Sequence, residues 1–167
     1  MLLRPAEPSD AHAVARVHVE SWQAAYRGLM PAPYLDSLRP EDRASRYDFA
    51  TTDPAKPYTL VALVDGVIQG FATTMPSRDP SLPEHGELAA LYVHPNHWQH
   101  GLGLALIQCA RARLEAQGHT HALLWLLDGN QRGARFYERD SWTHDHITRT
   151  ETVWNLPVTE LRYQRPL

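Results

Sequence analysis

The stretch richest in possible chemistry runs Glu87-Leu-Ala-Ala-Leu-Tyr-Val-His-Pro-Asn-His-Trp-Gln-His-Gly-Leu-Gly-Leu-Ala-Leu106. A strand-like apolar run ends at Val93, a loop follows, and a helical pattern opens on Gly101 and Gly103. The first N–H groups of a helix lack intrahelical partners, and glycine lets a ligand approach the backbone closely. A pyrophosphate here would receive hydrogen bonds from the turn Gln99, His100, Gly101, Leu102, Gly103 and Leu104, together with the favourable end of the helix dipole. The plainer reading is that these glycines only ease helix packing. Two nucleotide loops are disfavoured. A dinucleotide turn would place its third glycine where Leu106 stands and an acid about 20 residues on, where Ala122 and Leu123 lie. The lysine of a Walker loop is also missing.

Asn130 and Tyr137 form a second constellation. Seven residues are about two helical turns, so Tyr137 shares a face with the cap Asn130, while Phe136 turns toward the core. Taken by itself Tyr137 reads as a core aromatic with a satisfied hydroxyl. Glu87 begins the strand that leads to the glycine turn and reads as a surface charge or as a base; Glu84 is a nearby substitute. His94, His97 and His100 are evenly spaced but have no acid or cysteine beside them, so no metal is expected. Cys109 falls on the apolar side of its helix and reads as a small hydrophobe.

Several elements must hold these residues in place. Leu2 to Arg4 reads as a strand, and Ser9 or Asp10 can cap a helix with Ala13, Val14, Val17 and Trp22 on its inner face. Gly28, Pro31 and Pro33 break the next segment into short pieces bearing Tyr26, Met30, Tyr34 and Leu35. Pro40, Glu41 and Asp42 open a helix expected to reach about Ala50. Tyr58 to Val64 and Val67 to Thr74 flank Asp65-Gly66, a strong hairpin signal. Glu87 to Val93 is expected to be buried on both faces. A helix from Gly101 to Gln117 carries Leu102, Ala105, Leu106, Cys109, Ala110 and Leu114 inward, and His121 to Leu127 is the next strand. Strand, helix, strand at this length implies a parallel crossover. Asn130 caps a helix to about Arg139, and Trp142 to Thr150 with Val158 to Gln164 would close the sheet as an antiparallel pair.

The bulk properties agree with one ordinary globular domain over residues 1–167. Hydrophobic residues make up 43%, enough for a core in a chain of 167 residues. A net charge of −3 with scattered basic residues gives no footing for nucleic acid. No apolar run has the length of a membrane span, the first eight residues hold Arg4, Pro5, Glu7 and Pro8 rather than a signal core, and a lone cysteine fits a reducing compartment. A cytoplasmic protein without a membrane partner is expected. The late strands and exposed aromatics are compatible with a homodimer.

Taken together, the Leu91-Tyr-Val-His-Pro95 strand end, the Gly101-Leu-Gly103 turn, Asn130 with Phe136-Tyr137-Glu138, and Glu20-Ser-Trp-Gln-Ala-Ala-Tyr-Arg-Gly28 resemble the Gcn5-related N-acetyltransferase (GNAT) superfamily. The resemblance covers nearly the whole chain. It implies an α/β fold with a central mixed, mostly antiparallel sheet, helices on both faces, and a splayed parallel strand pair that admits the pantetheine of acetyl-CoA. Leu91, Tyr92 and Val93 would then flank pantetheine, with backbone groups of Leu91 and Val93 holding its amides. The Gln99 to Leu104 turn would hold the pyrophosphate, and Asn130 would stand beside the cofactor. One position departs from the family: Trp98 stands where Gln or Arg is frequent.

The resemblance further assigns Tyr137 as the acid beside the leaving sulfur and Glu87 as the carboxylate that draws the proton from an acceptor amine. A phenol of pKa about 10 is about 1.5 units weaker than a thiol of about 8.5, so donation costs roughly 2 kcal/mol. An amine of pKa about 10.4 is neutral at pH 7 in on the order of 1 molecule in 2,500, a barrier of about 4.6 kcal/mol. Tyr26 and Tyr34 are the candidates for acceptor contacts, each with an apolar face and a polar tip. The activity implied is N-acetyl transfer to a primary amine of a small molecule or peptide by direct attack in a ternary complex. The competing reading is a catalytically silent acyl-CoA-binding regulator.

Overall fold

The computed structural model describes residues 1–167. Seven strands form one sheet: β1 (Leu2–Pro5), β2 (Tyr58–Val64), β3 (Val67–Pro76), β4 (Gly86–Val93), β5 (His121–Leu127), β6 (Thr143–Val153) and β7 (Leu156–Pro166). Their spatial order is β1-β2-β3-β4-β5-β7-β6. All neighbours are antiparallel except β4 and β5, which are parallel and joined by the helix α4 (Leu102–Ala116). The mixed, mostly antiparallel sheet anticipated from the sequence is present. No helix is long and apolar enough to cross a membrane.

Two hairpin turns follow from local chemistry. Asp65 and Gly66 both take positive φ, 51° and 78°, the geometry that matches the twist of the flanking β2 and β3. Trp154 and Asn155 do the same at 48° and 65°, so β6 and β7 run on to Val153 and from Leu156, further than sequence alone indicated. Asparagine tolerates this region and tryptophan rarely does, which hid the turn.

Helices cover both faces because successive strand residues point in opposite directions. Val61 and Phe71 pack with Val14 and Val17 of α1 (Ala11–Ala25), whereas Ala62 and Ala72 pack with Leu106 and Ala110 of α4. The helix α5 (Gln131–Arg139) lies on the α4 side through Ala134, Phe136 and Tyr137. Leu102, Leu106, Ala110 and Leu114 are buried as expected, with Ile107 in addition, while Ala105 and Cys109 are only half-buried.

Two expectations need correction. After the short α2 (Ala32–Ser37), α3 (Pro40–Ala44) stops well before Ala50. Tyr47 leaves the helical path because its ring stacks on Phe49 at 5.1 Å and its hydroxyl meets His18 Nδ1 at 2.7 Å, contacts worth more than another exposed helical turn. The second correction concerns β4, which is not buried throughout. Ala89 is exposed and Ala90, Leu91 and Tyr92 are half-buried, because the middle of this strand borders a cleft.

Leu106 is fully buried between α4 and the sheet. Truncating it to alanine removes apolar contact and leaves a cavity, so Leu106→Ala should lower unfolding free energy by about 2–5 kcal/mol. Urea denaturation with an unchanged slope checks this.

Candidate active site

The cleft begins where the parallel pair parts. β4 and β5 are in register only at Gly86 with Ala122 and Glu87 with Leu123. On its other edge β4 carries a bulge: Thr73 faces Ala90 and Thr74 faces Leu88, leaving Ala89 as the extra residue. A bulge bends its strand. Beyond this point the inner edges of β4 and β5 diverge and bound a cavity of about 1080 Å³, which α1, α4, α5 and the β6–β7 turn complete. Backbone groups along these edges lack a strand partner, and a buried chain cannot leave them unsatisfied without cost. An extended ligand with amide groups suits such an opening.

At the far end of β4 the chain makes the turn into α4. Gln99 has φ 65° and Gly101 has φ 85°, which presents the early N–H groups of a fifteen-residue helix toward the cavity. The residues Gln99, Gly101, Gly103 and Leu104 line the cleft. Leu102 is buried in the core and His100 points to solvent, so these two can contribute backbone only. The glycines divide their work. A Cβ on Gly101 would meet open space but the wrong φ, whereas a Cβ on Gly103 would sit 3.3 Å from the Phe136 ring. For Gly103 the plainer packing reading therefore applies, and its closeness to a ligand is secondary.

Trp98 has a defined job despite its departure from the family pattern. Its Nε1 donates to the Val93 carbonyl at 2.6 Å, and Ser21 Oγ donates to the same oxygen at 3.0 Å. That carbonyl is thus taken, and of the Val93 backbone groups the N–H is the one left for a ligand. Leu91 and Tyr92 border the cleft, Tyr92 with its ring stacked on His18 at 4.5 Å. Over the Trp98 ring, 3.3 Å from its centroid, lies the guanidinium of Arg132, which sequence reading did not single out. The stack carries a positive charge to the cleft beside the α4 turn.

Asn130 Oδ1 accepts from Gly133 N–H at 2.9 Å, the N-cap anticipated for α5, and Asn130 borders the cleft. Two turns later Tyr137 faces the same cavity, edge-on to Phe136 at 5.2 Å and to Trp142 at 6.1 Å. Burial, and next the neighbouring Tyr92, push its phenol well above the ordinary tyrosine range. Its hydroxyl enters no hydrogen bond within the chain.

Glu87 borders the cleft at 2% exposure, and its oxygens accept three hydrogen bonds from Arg78: Nη2 at 2.5 Å, backbone N–H at 3.0 Å and Nε at 3.3 Å. Arg78 is held on a loop that Asp79 ties to Arg162 of β7 at 2.8 Å. Glu84 is exposed and lies outside the cleft, which removes it as a substitute for Glu87. Tyr26 lines the cleft but is 6% exposed and packed edge-on to Trp22 at 5.2 Å. Tyr34 does not line it. Its hydroxyl donates to the carbonyl of Trp154 at 2.9 Å, because α2 directs it at the β6–β7 turn, so the expectation of direct acceptor contact is corrected to support of that turn. His94 pairs with Glu20 at 2.7 Å, and no group of three or more His, Cys, Asp or Glu side chains converges on a common point.

A sequence profile of the Acetyltransferase (GNAT) family matches residues 19–141, from the second half of α1 through α5 and hence most of the cleft. The chain belongs to this family. It is thereby an acetyl-CoA-dependent N-acetyltransferase by class. It is 27% identical over 128 residues to the uncharacterised N-acetyltransferase YuaI of Bacillus subtilis, covering 77% of this chain and 72% of that one. Among solved structures it resembles a GCN5-related N-acetyltransferase of Rhodopseudomonas palustris, with TM-score 0.74, 21% identity, and 99% and 95% of the two chains covered. It also resembles the PaiA N-acetyltransferase of Thermoplasma acidophilum, crystallised in complex with coenzyme A, with TM-score 0.70, 18% identity, and 99% and 98% covered. At these identities the structural likenesses establish the fold alone.

A valine at position 103 must push Phe136 aside and with it the first turn of α4. Gly103→Val should therefore weaken coenzyme A binding at least tenfold, about 1.4 kcal/mol, and pairing it with Phe136→Leu should recover part of the loss. Calorimetric titration of the folded variants measures both.

Proposed function

We propose that the enzyme moves the acetyl group of acetyl-CoA to a primary amine of a small molecule or peptide, by direct attack with both substrates held in the one cleft. The observation that supports this best is the convergence of the parted β4 and β5 edges, the turn opening α4 and an unpartnered phenol on a single cavity. Leu91, Tyr92 and the Val93 N–H would flank the extended arm of the cofactor. The Gln99 to Leu104 backbone, with the Arg132 charge above Trp98, would hold its phosphates. A silent acyl-CoA binder would need the groove but neither the free phenol nor the carboxylate beside it.

Tyr137 holds a proton at its hydroxyl for donation to the leaving sulfur. Burial makes it a weaker acid than in water, but a thiol in the same dry cleft is weakened in the same direction. Glu87 draws the proton from the acceptor. A carboxylate has about four acceptor sites, and Arg78 occupies three of them, which leaves one on Oε1. Arg78 is the more exposed partner of the pair, its side chain 56% exposed against 2% for Glu87.

Tyr137→Phe should lower kcat at least tenfold with little change in KM for acetyl-CoA, since a contact made in the transition state affects turnover rather than ground-state binding. Because the phenol is shifted upward, it stays protonated through alkaline pH. The wild-type rate should then show no decline from Tyr137 ionisation up to about pH 10, the unperturbed tyrosine value; a Tyr137-dependent fall near pH 8 would count against the assignment. Glu87→Gln should reduce kcat/KM for the acceptor about tenfold near pH 7. Part of that loss should return toward pH 10, where an amine of pKa about 10.4 is already substantially neutral.

A further inference from the structure

The acceptor side of the cleft holds a cation that nothing in the chain neutralises. Arg78 is paired with Glu87 at 2.5 Å and Arg149 with Glu160 at 2.7 Å, while Arg132, Arg135 and Arg139, unpaired, line the cleft from α5. Arg43 of α3 enters no ion pair, and Arg46, three residues on and just past the end of α3, enters none either. The Arg43 guanidinium lies 4.3 Å from the Trp154 ring centroid and 5.6 Å from that of Tyr47. Its Nε is buried without a hydrogen-bond partner. Aromatic faces fix the plane of a guanidinium but take none of its five N–H donors.

The setting sharpens the point. Arg43, Arg46 and Trp154 border both the main cleft and a smaller cavity of about 360 Å³, so the charge stands where the two meet. Trp154 stacks on Trp22 at 4.1 Å and meets His18 at a tilt at 4.6 Å, and His18 in turn lies on Tyr92 of β4. An aromatic wall thus runs from the cofactor side of the cleft to Arg43. Burial and the Arg43 charge keep His18 neutral, so it adds no second cation. Asp42 borders the smaller cavity and Glu151 the larger, yet neither reaches Arg43 as an ion-pair partner. A planar guanidinium, pre-oriented and partly dried without a counter-ion, is suited to bidentate capture of an oxyanion.

We propose that the acceptor is an amine that also bears an oxyanion, a carboxylate or a phosphate, and that Arg43 with Arg46 receives this group. The inference rests on the acetyl-transfer reading of the cleft. It makes Arg43 a determinant of acceptor choice, with Trp154 and Tyr47 as the faces that orient it.

The test is coenzyme A release with matched amines at fixed acetyl-CoA. One arm sets amino acids against their amides; the other sets O-phosphoethanolamine against ethanolamine. In at least one arm the anionic member should have a kcat/KM ten or more times that of its neutral mate, and the arm with the larger ratio identifies the oxyanion. Arg43→Gln should erase the preference through KM while calorimetric affinity for acetyl-CoA stays within about twofold. Arg43→Lys should restore only part of it, because an ammonium cannot form the planar fork. Equal use of neutral and anionic amines, or a preference that survives in Arg43→Gln, overturns the inference while leaving acetyl transfer intact.

A second measurement does not depend on turnover. In the nitrogen-15 spectrum the Arg43 Nε–H resonance, assigned by its loss in Arg43→Gln, should shift saturably on titration with inorganic phosphate or acetate. Saturation without acetylation of any amine would uphold the anion site and overturn the transfer reading. Absence of any shift, together with no anionic preference, overturns the anion site.

Discussion

Everything at this site depends on two strands that stop pairing. A parallel pair normally continues until a turn ends it, because each further residue satisfies backbone groups that burial would otherwise penalise. Here β4 and β5 share only Gly86 with Ala122 and Glu87 with Leu123, and the bulge at Ala89 carries β4 away. β3 keeps its hold on the other edge of β4, and β7 on the other edge of β5, so each strand remains anchored while its inner edge opens. The cleft is thus a gap in an otherwise continuous sheet.

That gap determines the positions of the remaining groups. The N-terminal turn of α4 is joined to β4 by the single connection 94–101, so its early N–H groups arrive at the open end. The phenol of Tyr137 follows from β5 by the equivalent route, since Asn130 caps α5 just past the end of that strand. The groups proposed to hold phosphate and to donate a proton are therefore each one connection from a strand edge of the cleft, an arrangement of loops on a rigid scaffold. Trp98 closes this corner by bonding the Val93 carbonyl and supporting Arg132.

The side of the cleft proposed to take the acceptor is built differently, from aromatic packing across distant segments. His18, Trp22, Tyr92 and Trp154 come from α1, β4 and the β6–β7 turn, and their rings lie within 4.1 to 5.6 Å of one another in successive contacts. Tyr34 supports the turn from behind by bonding the Trp154 carbonyl. The wall is mostly aromatic, and the charges of Arg43 and Arg46 stand at its rim.

Local sequence determined a good deal. The Asp65-Gly66 hairpin, the strand–helix–strand crossover, the glycine turn before α4, and the Asn130 cap with Tyr137 two turns on were all legible, because turn chemistry and periodicity act over a few residues. Tertiary structure alone decided what the side chains meet. It placed Gly103 against Phe136, engaged three acceptor sites of Glu87 with Arg78, sent Tyr34 to the hairpin turn, and brought Arg43 onto Trp154 from more than a hundred residues away. Pattern reading can say which face of an element a residue occupies. It cannot say which distant charge or ring will lie opposite, since that depends on how α3, the β6–β7 turn and the parted strands close on one another.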